Sequence, residues 1–432
     1  MSTTTMQHEP SSARSQRESS SRPSVSADSL ATSGFPAVSG STLRWSAYLA
    51  TSWTWCIGMF LPVLLMRDLG VWAFVVFAVP NVLGAALMGR VLSRIDAQSI
   101  QTFHRPAVIA FSAITIAFQA FFLVWAAQWA GLPLVWLGVL AVVLPVCLGV
   151  LDTRQTRTEH TPGWTPLIVW GLSLVVIVQG VLVGAWSGPS STSSLGSAAF
   201  SIDLLPLLMV CLLGFACSPY LDATFLRTRA SLGQPAAGRT FALGLGFMFT
   251  LMILGTLWYA PAVLGPAMGQ RVASLSVLVL IALHIVPQLL MTISMHRACA
   301  RDTNSRRQTP GFVPIAVAVG ALCGVLCAVA ADQAMFRGLL ASEAMYRVFM
   351  GFYGLVAPAY VLTCLRPGSG YQHVRPSTLQ LSVFAAAVII ALPFYFLGFV
   401  DRQWAYLVPG VVIVLVAAIS IPAAPITRRA LA

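Results

Sequence analysis

Lysine is absent from this 432-residue chain, because all 25 basic residues are arginine. This absence excludes a Schiff-base lysine and the lysine of a phosphate-binding P-loop. Asparagine occurs only at Asn81 and Asn304, and neither begins an Asn-x-Ser/Thr glycosylation sequence. The eight cysteines form no Cys-x-x-Cys pair, which argues against a metal or dithiol site. Charged residues make up only 9% of the chain, against about 25% in soluble domains.

Hydrophobic residues make up 57% of the chain, and its mean hydropathy is +0.82. Because a membrane-spanning helix needs about 20 apolar residues, this composition predicts an all-α polytopic membrane protein. Apolar runs separated by short polar breaks predict about twelve transmembrane helices, at 44–66, 71–92, 106–130, 132–151, 164–186, 203–230, 238–262, 271–298, 311–332, 341–365, 378–399 and 404–422. The loops are too short for a soluble catalytic domain, so we expect no enzyme.

The charges indicate how the chain is oriented in its membrane. Residues 1–43 are rich in serine and threonine and are predicted to form a disordered cytoplasmic tail. With that tail inside, twenty arginines fall on the inner side and five on the outer side, as the positive-inside rule expects. Both termini are therefore predicted to be cytoplasmic, in an inner (plasma) membrane. Since the net charge of +12 sits in loops against the lipid bilayer, we expect no nucleic-acid partner.

Two of the predicted spans contain chemistry that interrupts a helix. The middle of the first span, Thr51 to Gly58, is polar and aromatic, although a lipid-facing helix would be aliphatic there. In the sixth span, Pro219 disfavours helix at Ser218, and Asp222 puts a carboxylate at membrane depth. Interrupted backbone at that depth is tolerated only where protein or a water-filled cavity satisfies its polar groups.

The two interrupted spans lie five spans apart, and such a pair is the best sequence pointer to a transporter binding site. With the segments Ala50-Thr-Ser-Trp-Thr-Trp55 and Gly70-Val-Trp-Ala-Phe-Val-Val-Phe-Ala-Val-Pro-Asn81, the chain resembles the leucine-transporter-like fold of the amino acid–polyamine–organocation superfamily. The sodium:solute symporter branch is the nearest part of that superfamily. The resemblance implies a 5+5 inverted repeat, with five helices over 44–186 and five over 203–365. Two extra helices and a short cytoplasmic tail follow at 378–432.

The resemblance implies a substrate site between spans one, three, six and eight. The candidate substrate-binding residues are Ser52, Trp53, Thr54, Trp55, Gly58, Ser218, Tyr220, Asp222 and His284. Four of these residues have a structural alternative. Trp53 and Trp55 could pack in the core or lie in an interfacial belt. Asp222 could pair with Arg227 or Arg229 near the cytoplasmic end of its span, and His284 could be a neutral structural histidine.

The resemblance also implies coupling to sodium or a proton, and no other cofactor and no metal site is expected. The candidate sodium ligands are backbone carbonyls near Trp55 and Gly58 with the hydroxyls of Thr292 and Ser294. Hydroxyls that bond the carbonyls of their own helix are the structural alternative. A proton would instead suit His284.

An outer gate is predicted between Arg67, at the end of the first span, and Glu343, at the start of the tenth. Opposite charges there could close the outer vestibule, and their attraction is stronger in a dehydrated site. Asp68, Arg347 and Arg337 compete as partners. A local Glu343–Arg347 pair at i,i+4 spacing is therefore the alternative.

Together these features predict a secondary active transporter of a small organic solute that works by alternating access. A non-transporting sensor or scaffold on a transporter-like fold, or a major-facilitator-type transporter, remains an alternative. The sequence leaves the substrate and the oligomeric state open.

Overall fold

A computed structural model describes residues 39–54, 56–143, 161–186, 199–270, 272, 274–302, 312–330, 334–335 and 338–422. The predicted tail up to residue 38, Trp55 and residues 423–432 lie outside these ranges.

The described chain is almost entirely helical. Its helices are α1 (Gly40–Trp53), α2 (Cys56–Leu69), α3 (Trp72–Val91), α4 (Arg94–Phe103), α5 (Arg105–Trp129), α6 (Leu134–Val143), α7 (Thr165–Leu182), α8 (Leu204–Cys217), α9 (Ala223–Ser231), α10 (Gln234–Phe241), α11 (Thr250–Ala267), α12 (Leu275–Asp302), α13 (Phe312–Val329), α14 (Ala341–Gly351), α15 (Ala357–Tyr360), α16 (Thr378–Tyr395) and α17 (Leu407–Ser420). Wider π-helical turns at Ala242–Phe249, Phe352–Val356, Val361–Leu365 and Phe396–Val400 continue these helices. A two-stranded hairpin, β1 (Ala334–Met335) and β2 (Leu339–Leu340), leads into α14.

Within the described ranges, eight helices are long and apolar enough to cross a membrane, and ten if each of two bent pairs is one span. The chain is therefore an all-α polytopic membrane protein. The predicted fourth and twelfth spans correspond to two shorter apolar helices, Leu134–Val143 and Trp404–Ser420. The fourth span continues into residues outside the described ranges, so the count of twelve stays a prediction.

The start of α1 and the helix α4 differ from the sequence interpretation. In both places a serine side chain caps the N-terminus of a helix. The Ser39 side chain accepts a hydrogen bond from the Thr42 amide, so α1 begins at Gly40, inside the predicted tail of 1–43. Ser93 accepts from the Asp96 amide at 3.0 Å and begins α4 in what was predicted to be a loop. This additional helix packs against α9.

The broken helices pack together in one group. Helix α1 contacts the Ala242–Phe249 turn, α2 contacts α3 and α11, and α3 lies along α8. A second group forms where α5 packs against both α12 and α13.

Glycines allow the closest approach between α5 and α13. A Cβ added to Gly320 would lie 1.9 Å from the carbonyl oxygen of Ala117, and one added to Gly324 would lie 2.8 Å from Val124. Small residues four apart bring helix backbones together in membranes, where packing rather than hydrophobicity holds helices. The Gly320-x-x-x-Gly324 pair therefore sets the α5–α13 contact.

We expect Gly320→Ala to lower the free energy of unfolding by about 1–3 kcal/mol, because the methyl group overlaps a backbone atom that cannot rotate away. The matched control is Gly171→Ala in α7, where an added Cβ meets no atom within 4 Å. Thermal unfolding of the purified protein in detergent compares the two variants. Equal stability of both would show that the α5–α13 contact tolerates an added methyl.

Candidate functional site

The first break separates α1 from α2, whose axes differ by 48°. Helix α1 ends at Trp53, and Thr54 is its C-cap. The Thr54 hydroxyl donates to the carbonyl of Ala50 at 2.7 Å, and the Ser52 hydroxyl donates to the carbonyl of Leu49 at 3.0 Å. Because each hydroxyl bonds its own helix, these two predicted residues support the end of α1. Trp55 lies outside the described residues.

The second break separates α8 from α9, with a bend of 54°. The chain does not leave the helix at Ser218. It tightens into a 3₁₀ turn over Ser218–Tyr220 and breaks at Leu221 and Asp222. Pro219 fits the first turn of this short helix, where no internal partner for its missing N–H is required. The break therefore lies one turn beyond the position that Pro219 suggested.

The two breaks touch each other. The hydroxyls of Ser52 and Thr224 lie 3.0 Å apart. The rings of Trp53 and Phe225 are in contact, with centroids separated by 4.7 Å. Trp53 Nε1 also donates to Asn81 Oδ1 at 2.7 Å, which joins the first break to α3. Residues far apart in the chain thus form one junction in the interior.

A small cavity of about 60 Å³ lies beside this junction. Of the predicted substrate residues, Trp53, Gly58 and Ser218 line it. The other lining residues come from α2, α3, α8, the α14 region, α16 and α17, and include Leu207, Cys211, Gly214, Phe215, Gly351, Tyr353 and Tyr395. The Ser218 and Tyr395 hydroxyls are buried and have no hydrogen-bond partner among the described residues. The cavity thus combines an apolar wall with two polar atoms that a ligand could bind.

The remaining substrate candidates lie elsewhere. Tyr220 lines a separate cleft of about 220 Å³. His284 is buried beside Tyr259, with ring centroids 5.3 Å apart, and neither of its ring nitrogens bonds a described residue. His284 does not line the central cavity, so the structure separates it from Trp53 and Ser218.

Asp222 is completely buried and caps α9. Its Oδ1 accepts hydrogen bonds from the Thr224 amide at 2.7 Å and from the Thr224 hydroxyl at 2.6 Å. The alternative partners point elsewhere: Arg229 donates to the Leu92 carbonyl, and Arg227 lies over the ring of Tyr48. The described contacts therefore make Asp222 a helix cap and do not support the arginine pair that was its structural alternative.

His296 is the residue that the sequence interpretation missed. Its Nε2 lies 3.9 Å from Asp222 Oδ2, and its Nδ1 lies 3.1 Å from the Ser112 hydroxyl of α5. The signal was a row of buried polar side chains at four-residue intervals on α12, formed by His284, Gln288, Thr292 and His296. Such spacing puts them along one face of the helix.

The two predicted sodium-binding hydroxyls do not converge. Thr292 is buried and donates to the carbonyl of Gln288 at 3.0 Å. Ser294 is exposed and donates to the carbonyl of Leu290 at 2.9 Å. Gly58 packs against the ring of Phe249. Both hydroxyls thus make the bonds to their own helix that were the structural alternative.

Arg67 and Glu343 are in contact at the end of the bundle predicted to be outer, which we call the outer end. Arg67 donates two hydrogen bonds to the Glu343 carboxylate, at 2.8 and 2.5 Å. The local pair forms as well, since Arg347 donates to Glu343 at 2.8 Å and also to Asp68. We call these four residues the outer network. Cross-helix and local pairs, weighed as alternatives, coexist in it.

The outer network is largely buried. The Arg347 side chain is 0% exposed, those of Asp68 and Glu343 are 4% exposed, and that of Arg67 is 13% exposed. Arg347 also donates to the Phe399 carbonyl at 3.0 Å. Because two arginines meet two carboxylates, the charges balance. A cleft of about 510 Å³ lies beside the network.

No family model, curated protein or solved structure matches the chain. The described residues contain no group of three or more His, Cys, Asp or Glu side chains that could hold a metal ion. The functional argument therefore depends on the geometry of the junction, the cavity and the outer network.

We expect Glu343→Gln to lower the free energy of unfolding by about 3 kcal/mol, because it leaves two buried arginines with one carboxylate. The control is Asp203→Asn, which changes a part-buried carboxylate that accepts from the Ser201 hydroxyl at 3.5 Å in the loop before α8, with an effect within about 0.5 kcal/mol. Chemical unfolding in detergent micelles measures both. A loss in Glu343→Gln no larger than in the control would contradict a stabilising outer network.

Proposed function

We propose that the protein is a secondary transporter of a small organic solute that works by alternating access. The observation that carries the proposal is that two helix breaks, at Thr54 and Asp222, contact each other beside a shared cavity. Broken helices are the recurring means by which transporters expose backbone and polar groups to a solute at membrane depth.

The cavity lining suggests the class of solute. None of its described lining residues is Asp, Glu, Arg or His, and most are aliphatic or aromatic. Two partnerless hydroxyls, on Ser218 and Tyr395, are the polar atoms available. We therefore propose an uncharged solute with an apolar body and at least one hydrogen-bonding group.

The surroundings of the cavity favour transport over a sealed binding site. The outer network joins α2 to α14 at the outer end, and two further clefts reach the second break. One, of about 220 Å³, includes Tyr220, and another, of about 620 Å³, includes Leu221. Ser218, Tyr220 and Leu221 thus border three different spaces within one short turn. A small movement of this turn would connect the central cavity to one of these clefts.

The leucine-transporter-like architecture is part of this proposal. It comprises twelve spans, the 5+5 inverted repeat, and two additional C-terminal helices. The packing of α2 with α3 and α11, and of α3 with α8, supports it, because in that fold the first and sixth helices rock together against a scaffold. An inner membrane with both termini cytoplasmic, and coupling to sodium or protons, belong to the same proposal.

A cavity-filling variant tests the proposed site. Gly351 lines the cavity, and a Cβ there meets no atom within 4 Å. The Cβ of Gly351→Leu therefore meets no atom, and the rest of its side chain should fill the solute space. A thermal-shift screen of uncharged metabolites should find a solute that stabilises the wild type by about 2.7 kcal/mol at 100 times its dissociation constant. The variant should lose that stabilisation, whereas the control Gly171→Leu should retain it.

Uptake of the radiolabelled solute into proteoliposomes then tests transport itself. Wild type and Gly171→Leu should accumulate the solute, and Gly351→Leu should not. Stabilisation without uptake would replace the transporter with a sensor. Equal stabilisation of the wild type and Gly351→Leu would remove the cavity from the proposal.

A further inference from the structure

We infer that the coupling ion is a proton and that it binds between Asp222 and His296. This inference rests on the proposed transport function and names its ion. The proton joins His296 Nε2 and converts a neutral imidazole into an imidazolium, while Asp222 remains a carboxylate.

The geometry of the pair supports an exchangeable proton. Both side chains are 0% exposed, and Asp222 Oδ2 accepts no hydrogen bond from a described residue. His296 Nε2 lies 3.9 Å from Asp222 Oδ2. This separation is too long for a hydrogen bond and short enough for strong attraction once the imidazole is charged.

The contacts of Asp222 stabilise its charged form. Its other oxygen, Oδ1, accepts two hydrogen bonds from Thr224. It also lies at the N-terminus of α9, where the helix dipole favours a negative charge. A buried carboxylate with one unpartnered oxygen is unfavourable unless a cation or a proton compensates it. Protonation of His296 supplies that compensation and brings the charge of the pair to zero.

Ser112 holds the imidazole in place in both protonation states. Because the incoming proton joins Nε2, the neutral ring already carries its proton on Nδ1, and this N–H donates to the Ser112 hydroxyl oxygen both before and after proton binding. The 3.1 Å contact therefore persists when the proton arrives. Since Ser112 is on α5, His296 on α12 and Asp222 on α9, the site joins three helices.

Proton binding would shorten the 3.9 Å gap and draw α9 toward α12. Helix α9 begins at the second break, four residues after Pro219. Its movement would change the turn at Ser218–Tyr220, which separates the central cavity from the neighbouring clefts. The proton site is therefore placed to couple ion binding to solute access.

Other titratable and charged groups surround the pair without bonding Asp222 Oδ2. From α1, Tyr48 bonds Cys299 at 3.3 Å, and from the π-helical turn after α14, Tyr353 bonds Thr115 at 3.0 Å. The remaining charged groups on the adjoining helices are Arg44 on α1, Arg94 and Asp96 on α4, Arg105 on α5, Arg227 and Arg229 on α9, and Arg297, Arg301 and Asp302 on α12. Arg94 and Asp96 interact electrostatically with Arg229. His296 is thus the described group placed to neutralise Asp222 Oδ2.

Sodium fits this region less well. A sodium ion needs several converging oxygen atoms, but the Thr292 hydroxyl bonds its own helix and Ser294 faces outward. An imidazole nitrogen faces Asp222 Oδ2 instead. Nitrogen of this kind binds protons near neutral pH and is a poor ligand for an alkali cation.

Histidine-selective ¹⁵N NMR of the full chain in lipid nanodiscs tests the proton site without a solute. The variant His296→Gln identifies one signal among the six histidines. In the wild type that signal should titrate between about pH 4 and about pH 9. Asp222→Asn keeps a helix-capping side chain and removes only the charge. In this variant the midpoint of the His296 titration should fall by about one pH unit or more, which is a tenfold loss of proton affinity.

Further variants sharpen this test. Asp222→Glu restores the charge and should recover part of the shift. The control His373→Gln, which changes a part-exposed histidine bonded to Ser99, should remove its own signal and leave His296 unchanged. A His296 signal that does not titrate, or that titrates equally in wild type and Asp222→Asn, would overturn the inference.

Proteoliposomes carrying the solute selected by thermal shift separate this inference from the transport proposal. An inward proton gradient without sodium should drive accumulation by wild type. Asp222→Asn and His296→Gln should lose accumulation but retain solute exchange at zero gradient. Accumulation driven only by sodium would overturn the proton site while leaving transport intact. Absence of exchange by the wild type would reject transport, and the NMR titration would still report on the pair.

Discussion

Backbone groups inside a bilayer must be satisfied by the protein, and the two helix breaks depend on this constraint. At the second break, the side chain of Asp222 accepts a hydrogen bond from the backbone amide of Thr224, the second residue of α9. Around the first break, Tyr346 donates to the carbonyl of Cys56 at 2.9 Å, and Tyr259 donates to that of Met59 at 2.8 Å. These partners come from distant helices. Satisfying the breaks therefore fixes how the surrounding helices pack.

The same constraint identifies where polar atoms are left over. After the breaks and helices are satisfied, the Ser218 and Tyr395 hydroxyls and Asp222 Oδ2 still lack partners among the described residues. The hydroxyls face the central cavity, and the carboxylate oxygen faces His296. Because a buried unsatisfied polar atom is unfavourable, each of these positions is suited to a ligand or an ion. The outer network differs, since its four charges satisfy one another.

Sequence reasoning located several parts of the site because their chemistry is rare in membrane spans. Asp222 and the polar stretch around Trp53 stand out against aliphatic neighbours, and they mark two breaks that touch in the structure. The sequence predicted a pair between Arg67 and Glu343 because these opposite charges lie at the ends of two spans on the same predicted side of the membrane. Sequence reasoning failed for His296, which lies near the predicted end of its span. Its burial depends on the length of α12, which continues to Asp302.

The sequence by itself determined that the chain is an all-α membrane protein, and where its helices are interrupted. These properties follow from local composition, because the bilayer selects apolar runs and proline and polar residues interrupt them. Only the tertiary structure decided which polar atoms meet. In the structure, the side chain beside Asp222 Oδ2 is His296. The Arg67–Glu343 and Arg347–Glu343 pairs, which were alternatives, both form. Ser294 is exposed. These outcomes depend on helix rotation and on contacts between residues hundreds of positions apart, which local sequence patterns do not specify.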